Sequence, residues 1–313
     1  MTGVRRSTIL AMERIRLHRI ALLAMWSTLV LIAFGAFTRG SGSGYGCKDR
    51  WPLCEGGALG GYLPRFEAEM MIEWTHRWIA MLVGVVAIIL VVGALRGNHS
   101  RRWVVGPAIS ALVVVSGQAW LGRMIVKGDL ARDLVSLHLG ISLIVVAHFV
   151  VIAVATGAPR PSPAAPRSWT ALVGLSAVSV YAVMILGSIV HNMYFPGWPL
   201  VNNVLIPDLA NRFVAIHFAH RVMTGAVFVL LIFLVVRART DNRPDAERRL
   251  LDAGLAALVT NAALGALHVF TKVDSSFVVA AHVGVAGLTW VALVAATLVA
   301  LGIPQPATPQ TAN

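Results

Sequence analysis

Four histidines recur at a fixed interval along the chain, and paired imidazoles are groups that bind metal ions and haem iron. His76 and His138 lie in the first half, and His220 and His282 lie in the second half. The same 144 residues separate His76 from His220 (220 − 76) and His138 from His282 (282 − 138). This repeated interval predicts a duplicated unit, in which each copy brings two imidazoles to one site.

Two imidazoles with no further ligand favour haem over zinc. A zinc site in a protein needs a third or fourth ligand, and no His, Cys or Asp cluster of that kind accompanies either pair. Haem iron takes one or two axial ligands, and its large apolar ring suits the interior of a helical bundle. A single histidine near a helix end is more often a hydrogen-bonded or interfacial side chain. Four histidines at a repeated spacing weaken that alternative.

The residues beside the histidines differ between the halves. Glu73 precedes His76 by three residues and lies on the same helical face. The matching position in the second half is His217, which we interpret only as a neighbour of the ligands. A carboxylate at one site predicts different roles for the two sites, since a desolvated carboxylate can move protons. The alternative is an interfacial glutamate at a helix start. Arg77 and Arg221 directly follow their histidines and either pair with haem propionates or extend to the membrane surface.

Cys47 and Cys54 are the only cysteines, and both lie in a Gly-rich segment after the first apolar run. If this segment faces an oxidising compartment, the two thiols can form a disulfide. The bridge then either restrains a flexible loop or acts as a reactive pair near Glu73. No role is assigned to the five remaining histidines: His18, His99, His148, His191 and His268.

The composition places these residues in a lipid bilayer. Of the 313 residues 57% are hydrophobic, and the mean hydropathy is +0.75. Apolar runs long enough to cross about 30 Å of hydrocarbon are helices rather than barrel strands. The first run follows a basic segment without a clear small-x-small cleavage site, so it is interpreted as an uncleaved first helix. We predict eight spans, at about 20–38, 73–95, 103–122, 133–156, 169–190, 212–236, 250–270 and 277–301.

The net charge of +12 reflects membrane topology rather than nucleic-acid binding, because the basic residues lie mainly in short loops. With the N-terminus inside, fifteen Lys and Arg residues fall in inner segments and nine in outer loops, which predicts cytoplasmic termini. All four histidines then lie at similar depth near the outer surface. The predicted units are an N-terminal four-helix half (1–157), a cytoplasmic linker (158–168), a C-terminal four-helix half (169–303) and a disordered tail (304–313).

Taken together, these motifs resemble haem A synthase, the membrane enzyme that makes haem A from haem O. The resemblance covers about residues 20–300. It rests on Glu73-x-x-His76-Arg77, His138, His220-Arg221, His282 and the first-loop pattern Thr38-Arg39 … Ser43-Gly44 … Cys47 … Trp51-Pro52-x-Cys54. The two-cysteine loop is similar to that of bacterial members that carry such a pair. The chain departs from the pattern in its basic Lys48 and Arg50, and in a segment from Asn192 to Asn211 that has no cysteine pair.

The resemblance implies an all-α integral membrane protein, with eight transmembrane helices in two pseudo-symmetric four-helix bundles. The N-terminal site, with His76 and His138, would take the substrate haem O, and the C-terminal site, with His220 and His282, would hold haem b. The enzyme would oxidise the C8 methyl of the porphyrin to a formyl group by successive hydroxylations, supplying haem A for terminal oxidases. Glu73 would act in catalysis, with the disulfide over the substrate site.

Partners follow from the same resemblance. We expect the haem O substrate, the lipid bilayer of the cell membrane, haem O synthase, cytochrome oxidase assembly proteins and an unidentified electron acceptor. Two other functions are considered, a di-haem cytochrome b-type electron-transfer protein and a haem carrier. Four ligands at one depth argue against electron transfer across the membrane, and the one-sided Glu73 argues against a passive carrier.

Overall fold

Eight long helices dominate the structure, a computed structural model that describes residues 2–97, 99–157, 164–191 and 193–303. All eight are long and apolar enough to span a membrane, which confirms the predicted all-α, multi-pass membrane protein. The helices are α1 (Thr2–Gly40), the single turn α2 (Ala58–Gly61), α3 (Ala68–Arg96), α4 (Gly106–Lys127), α5 (Arg132–Thr156), α6 (Arg167–Ile189), α7 (Arg212–Thr240), α8 (Asp245–Phe270) and α9 (Ser276–Ala300).

Several helices extend beyond the apolar runs that predicted them. The span predicted at about 20–38 lies within α1, which continues back through the basic residues, and the span predicted at 250–270 begins at Asp245, directly after Pro244. A helix can outlast its apolar run because long charged side chains reach water at the membrane surface. The predicted tail, and residues 158–163 of the predicted linker, lie outside the described residues.

The spanning helices pack as two rings of four. In the first ring α3 and α5 each pack on both α1 and α4, so α3 lies opposite α5. In the second ring α7 and α9 each pack on both α6 and α8, so α7 lies opposite α9. These contacts are compatible with the predicted pair of four-helix bundles.

Helices α1, α5, α6 and α9 join the two rings. α9 packs on α1 and α5, and α5 also packs on α6. α9 approaches α1 closely at Gly287, where a Cβ would lie 3.0 Å from Leu29 Cδ2. Phe149 on α5 and Leu293 on α9 are fully buried. The two rings therefore share one apolar core.

The four histidine-bearing helices all begin at one face of the protein, since consecutive spanning helices run antiparallel. His76 and His220 each lie eight residues after the first residue of their helix, and His138 and His282 each lie six after theirs. At a rise of 1.5 Å per residue, these offsets correspond to about 12 Å and 9 Å. The imidazoles thus lie at similar depth below what we call the histidine face, formed by segments 41–67, 128–131, 193–211 and 271–275.

Candidate functional site

A cavity of about 830 Å³ lies below the histidine face. Its volume is within the range of about 300–1,000 Å³ typical of small-molecule sites. The walls are mainly apolar and come from both rings, as Val145 on α5 and Val183 on α6 illustrate. The cavity is lined by all four predicted ligands: His76, His138, His220 and His282.

Each predicted pair of histidines lies on opposite helices of one ring, and both members line the same cavity. His76 is on α3 and His138 on the opposite helix α5, while His220 is on α7 and His282 on the opposite helix α9. The repeated interval in the sequence therefore corresponds to equivalent helices of the two rings.

The hydrogen bonds of the imidazoles differ between the two pairs. In the second pair, Nδ1 of His220 lies 2.9 Å from the carbonyl oxygen of Val183, and Nδ1 of His282 lies 3.1 Å from that of Asn261. A carbonyl only accepts, so each Nδ1 carries the proton and each Nε2 lone pair is free for a metal ion. In the first pair both Nδ1 atoms are buried and have no hydrogen-bond partner among the described residues. Among the described residues, therefore, only the imidazoles of the second pair are held by hydrogen bonds in an orientation suited to binding a metal ion.

Two further histidines flank the second pair. The ring of His217 stacks beside that of His220, with centroids 6.2 Å apart, and His268 stacks beside His282 at 6.4 Å. Both flanking rings line the cavity, and their Nδ1 atoms are buried without a partner in the described part of the chain. The sequence indicated His217 as a neighbour but assigned no role to His268. His268 lies on α8, and no spacing along the chain relates it to a ligand on α9.

Glu73 is buried in a network that joins α3 to the first loop. Its carboxylate forms an ion pair with Arg77 one turn later, and its Oε2 accepts a hydrogen bond of 2.7 Å from the backbone N–H of Cys47. Only 3% of Glu73 and 9% of Arg77 is exposed. Glu73 also lines the cavity beside His76. The carboxylate predicted to act at the first site thus borders the cavity in a fixed position.

Arg77 and Arg221 bind equivalent turns of two different loops. The turn held by Arg77 contains Trp51-Pro52, and the turn held by Arg221 contains Trp198-Pro199. The Trp-Pro-Leu tripeptide occurs in both loops. This repeat could have indicated from the sequence that the two arginines make equivalent contacts, whereas the spacing of the histidines could not. The prediction that either arginine contacts a propionate stays a prediction. Nη1 of Arg77 donates to the carbonyl oxygens of Arg50 (2.8 Å) and Leu53 (2.9 Å). Nη1 of Arg221 donates to those of Gly197 (2.7 Å) and Leu200 (2.5 Å).

Cys47 and Cys54 form the predicted disulfide, and both are fully buried. They pack against Met70 at the start of α3. Between the two cysteines, Trp51 and Pro52 line the cavity, whereas the basic Lys48 and Arg50 are exposed. The bridged loop therefore forms part of the cavity wall near the first pair of histidines.

Known proteins resemble this chain over most of its length. The family model COX15-CtaA, described as cytochrome oxidase assembly protein, matches residues 18–294. A haem A synthase of Symbiobacterium thermophilum is 32% identical over 253 residues, which cover 76% of this chain and 81% of the relative. A haem A synthase of Alkalihalophilus pseudofirmus is 28% identical over 71% of this chain and 76% of the relative. A haem A synthase of Halalkalibacterium halodurans is 30% identical over 66% of this chain and 71% of the relative.

Proposed function

The chain belongs to the COX15-CtaA family of cytochrome oxidase assembly proteins and is a haem A synthase, and we propose that its first half binds haem O while its second half binds haem b. The reaction converts haem O into haem A. The relatives named haem A synthase cover most of this chain, and the eight spanning helices lie within or close to the matched range.

The residues present fit two porphyrins. The two imidazoles of each ring would hold the iron of a porphyrin, and the mainly apolar cavity suits the porphyrin ring. Besides the Nδ1 atoms of His76 and His138, four nitrogens of cavity-lining residues are buried without a partner among the described residues: Arg39 Nε, His191 Nε2, His217 Nδ1 and His268 Nδ1. Buried polar groups are normally paired, and the propionates of a porphyrin are acceptors for such nitrogens. We propose His76 and His138 as ligands in the first half, and His220 and His282 in the second.

One observation carries the assignment of the halves, the difference in hydrogen bonding at Nδ1. Ligands held in place by hydrogen bonds to carbonyl groups, as His220 and His282 are, suit a prosthetic group that stays bound. A substrate that enters and leaves is served by ligands without that restraint, and both Nδ1 atoms of the first pair lack a partner among the described residues. Glu73 also borders the cavity on the side of the first pair. These differences support haem O in the first half.

Haem iron, when bound, supplies the oxidation chemistry. The residues of the chain orient the substrate and handle protons. His76 and His138 orient the porphyrin, and the bridged loop with Trp51 and Pro52 shields it from water. Glu73 takes up and returns protons at its carboxylate, which the Cys47 N–H and the guanidinium of Arg77 keep in place. The product is the porphyrin whose C8 methyl has become a formyl group.

The protein lies in the cell membrane with both termini in the cytoplasm and the histidine face outside. Two observations support this orientation. The excess of Lys and Arg lies in the segments at the opposite face, and the disulfide lies at the histidine face, where an oxidising compartment is needed to form it. Haem O synthase, other cytochrome oxidase assembly proteins and an electron acceptor remain the predicted partners.

Haem analysis of the purified protein tests the proposal. Pyridine haemochrome spectra should show haem B alone when haem O synthase is absent, and haem B with haem O and haem A when that synthase is co-expressed. Equal occupancy of both sites by haem B, whether or not haem O synthase is present, would instead indicate a di-haem cytochrome.

A further inference from the structure

A glycine from the preceding spanning helix lies against the edge of each predicted ligand. The glycines lie on α1, α4, α6 and α8, the helices that separate the two histidine-bearing helices of each ring. The contact therefore recurs in both halves, although neither pair of equivalent glycines is separated by 144 residues (187 − 35 = 152 and 265 − 122 = 143). The contacting pairs are Gly35 with His76, Gly122 with His138, Gly187 with His220, and Gly265 with His282.

At three of these glycines an added Cβ would be unusually close to the imidazole. A Cβ on Gly35 or Gly187 would lie 3.0 Å from Cε1 of the facing imidazole, and a Cβ on Gly265 would lie 3.2 Å from it. Because carbon atoms are in optimal contact at about 3.5–4.0 Å, a methyl group would displace each ring by several tenths of an ångström. At Gly122 the same distance would be 3.8 Å, an ordinary contact.

We infer that Gly35, Gly187 and Gly265 are positioning residues that set the location of three axial histidines, and that His138 is the ligand left free to move. This inference rests on the proposed role of the histidines as haem ligands. The backbone of each glycine blocks one side of its imidazole, and at His220 and His282 a carbonyl also holds Nδ1. His138 has neither restraint, because a Cβ on Gly122 would make only an ordinary contact with it, at 3.8 Å, and no described residue pairs with its Nδ1. A mobile ligand suits the site through which a substrate must pass.

Single alanine substitutions in the purified full-length holoprotein test the inference. Gly187→Ala and Gly265→Ala should shift the low-spin ferric EPR signal of the second-half haem and reduce haem retention about tenfold, the scale seen when groups supporting a metal ligand are changed. Gly122→Ala should leave the signal of the first-half haem, recorded with haem O synthase co-expressed, unchanged. Gly225→Ala on α7 is the matched control, since a Cβ there meets nothing within 4 Å. Alanine is the better helix former, so helix propensity cannot explain a loss at Gly187.

The outcomes separate this inference from the proposed function. If His220→Met alters the haem spectrum but Gly187→Ala and Gly265→Ala match Gly225→Ala, the positioning role is wrong and the ligand assignment survives. If the wild-type protein contains no haem, or if His220→Met leaves its spectrum unchanged, the proposed function itself fails. If Gly122→Ala shifts the spectrum as much as Gly187→Ala, His138 is held like the other ligands. Should Gly187→Ala fail to assemble, Gly265→Ala carries the same test, because its contact is less tight.

Discussion

Replacing Glu73 by alanine removes the counter-charge of a buried guanidinium. Arg77 would keep its bonds to the loop carbonyls but lose its only ion-pair partner in the described part of the chain. Removing one member of a buried ion pair costs about 3–5 kcal/mol. The backbone N–H of Cys47 would also lose its acceptor, which costs about 1–3 kcal/mol. Because the loop carbonyls still solvate Arg77, we expect the lower end of each range, about 4 kcal/mol in total, which is a change of about 700-fold in the folding equilibrium.

Glu73→Gln separates the structural role from the chemical one. The amide oxygen still accepts from the Cys47 N–H, but the side chain can no longer exchange a proton at neutral pH. We expect Glu73→Gln to be more stable than Glu73→Ala, because the amide oxygen keeps the hydrogen bond from the Cys47 N–H although the counter-charge of Arg77 is lost in both variants. Glu73→Gln should keep its bound haem while haem A production stops. Glu69→Ala is the matched control, since Glu69 lies one turn earlier on α3 and is exposed.

Two measurements suffice for these variants. Unfolding in detergent with increasing dodecyl sulfate gives the free energy, and haemochrome spectra of cells co-expressing haem O synthase give the haem A yield. If Glu73→Ala unfolds like Glu69→Ala, the buried ion pair contributes nothing measurable and the structural reasoning is refuted. If Glu73→Gln still makes haem A, Glu73 carries no essential proton.

Four further substitutions test other parts of the site. Arg221→Ala should destabilise the protein by about 3 kcal/mol and expose the Trp198-Pro199 turn to protease, because it removes two charge-assisted hydrogen bonds that contribute at least about 1.5 kcal/mol each; unchanged cleavage would contradict this. His220→Met should perturb the haem b spectrum without preventing haem O binding, whereas loss of haem from the first site alone would reverse the assignment of the halves. Replacing both Cys47 and Cys54 by serine should reduce aerobic haem A production, and full activity would leave the bridge a structural role. Burial and the nearby charge of Arg39 lower the pKa of His191, just beyond α6, to about 4. The unfolded chain binds that proton at a pKa near 6.5, so stability should fall as the pH drops from about 6.5 to 4. His191→Phe should weaken this acid dependence in thermal unfolding, and an unaltered pH profile would assign it to other groups.

Much of the architecture could be predicted from the chain alone. Apolar runs of sufficient length can only be helices in a bilayer, because the backbone must satisfy its own hydrogen bonds there. The structure has all eight spans, and their ends differ from the prediction where polar residues prolong a helix, as before Ile20. The disulfide was also predictable from the sequence, since Cys47 and Cys54 are close together and the chain has no other cysteine.

The candidate site was predictable only in part. The interval of 144 residues identified the four histidines, because a duplicated unit repeats its ligands at corresponding positions of corresponding helices. The partners of Arg77 and Arg221 did not follow from their position beside the histidines. Their donors bind loop carbonyls that lie more than twenty residues earlier in the chain.

The sequence by itself determined the number of spans and predicted four histidines that line the cavity, because hydrophobic length and repeated spacing are properties of the linear chain. Only the tertiary structure decided which imidazoles have a carbonyl at Nδ1, which have a glycine at their edge, and that His268 stacks beside His282. Those contacts join side chains on different helices. They depend on how each helix is rotated and how far it is shifted along its neighbour, and neither quantity is encoded by spacing within one helix.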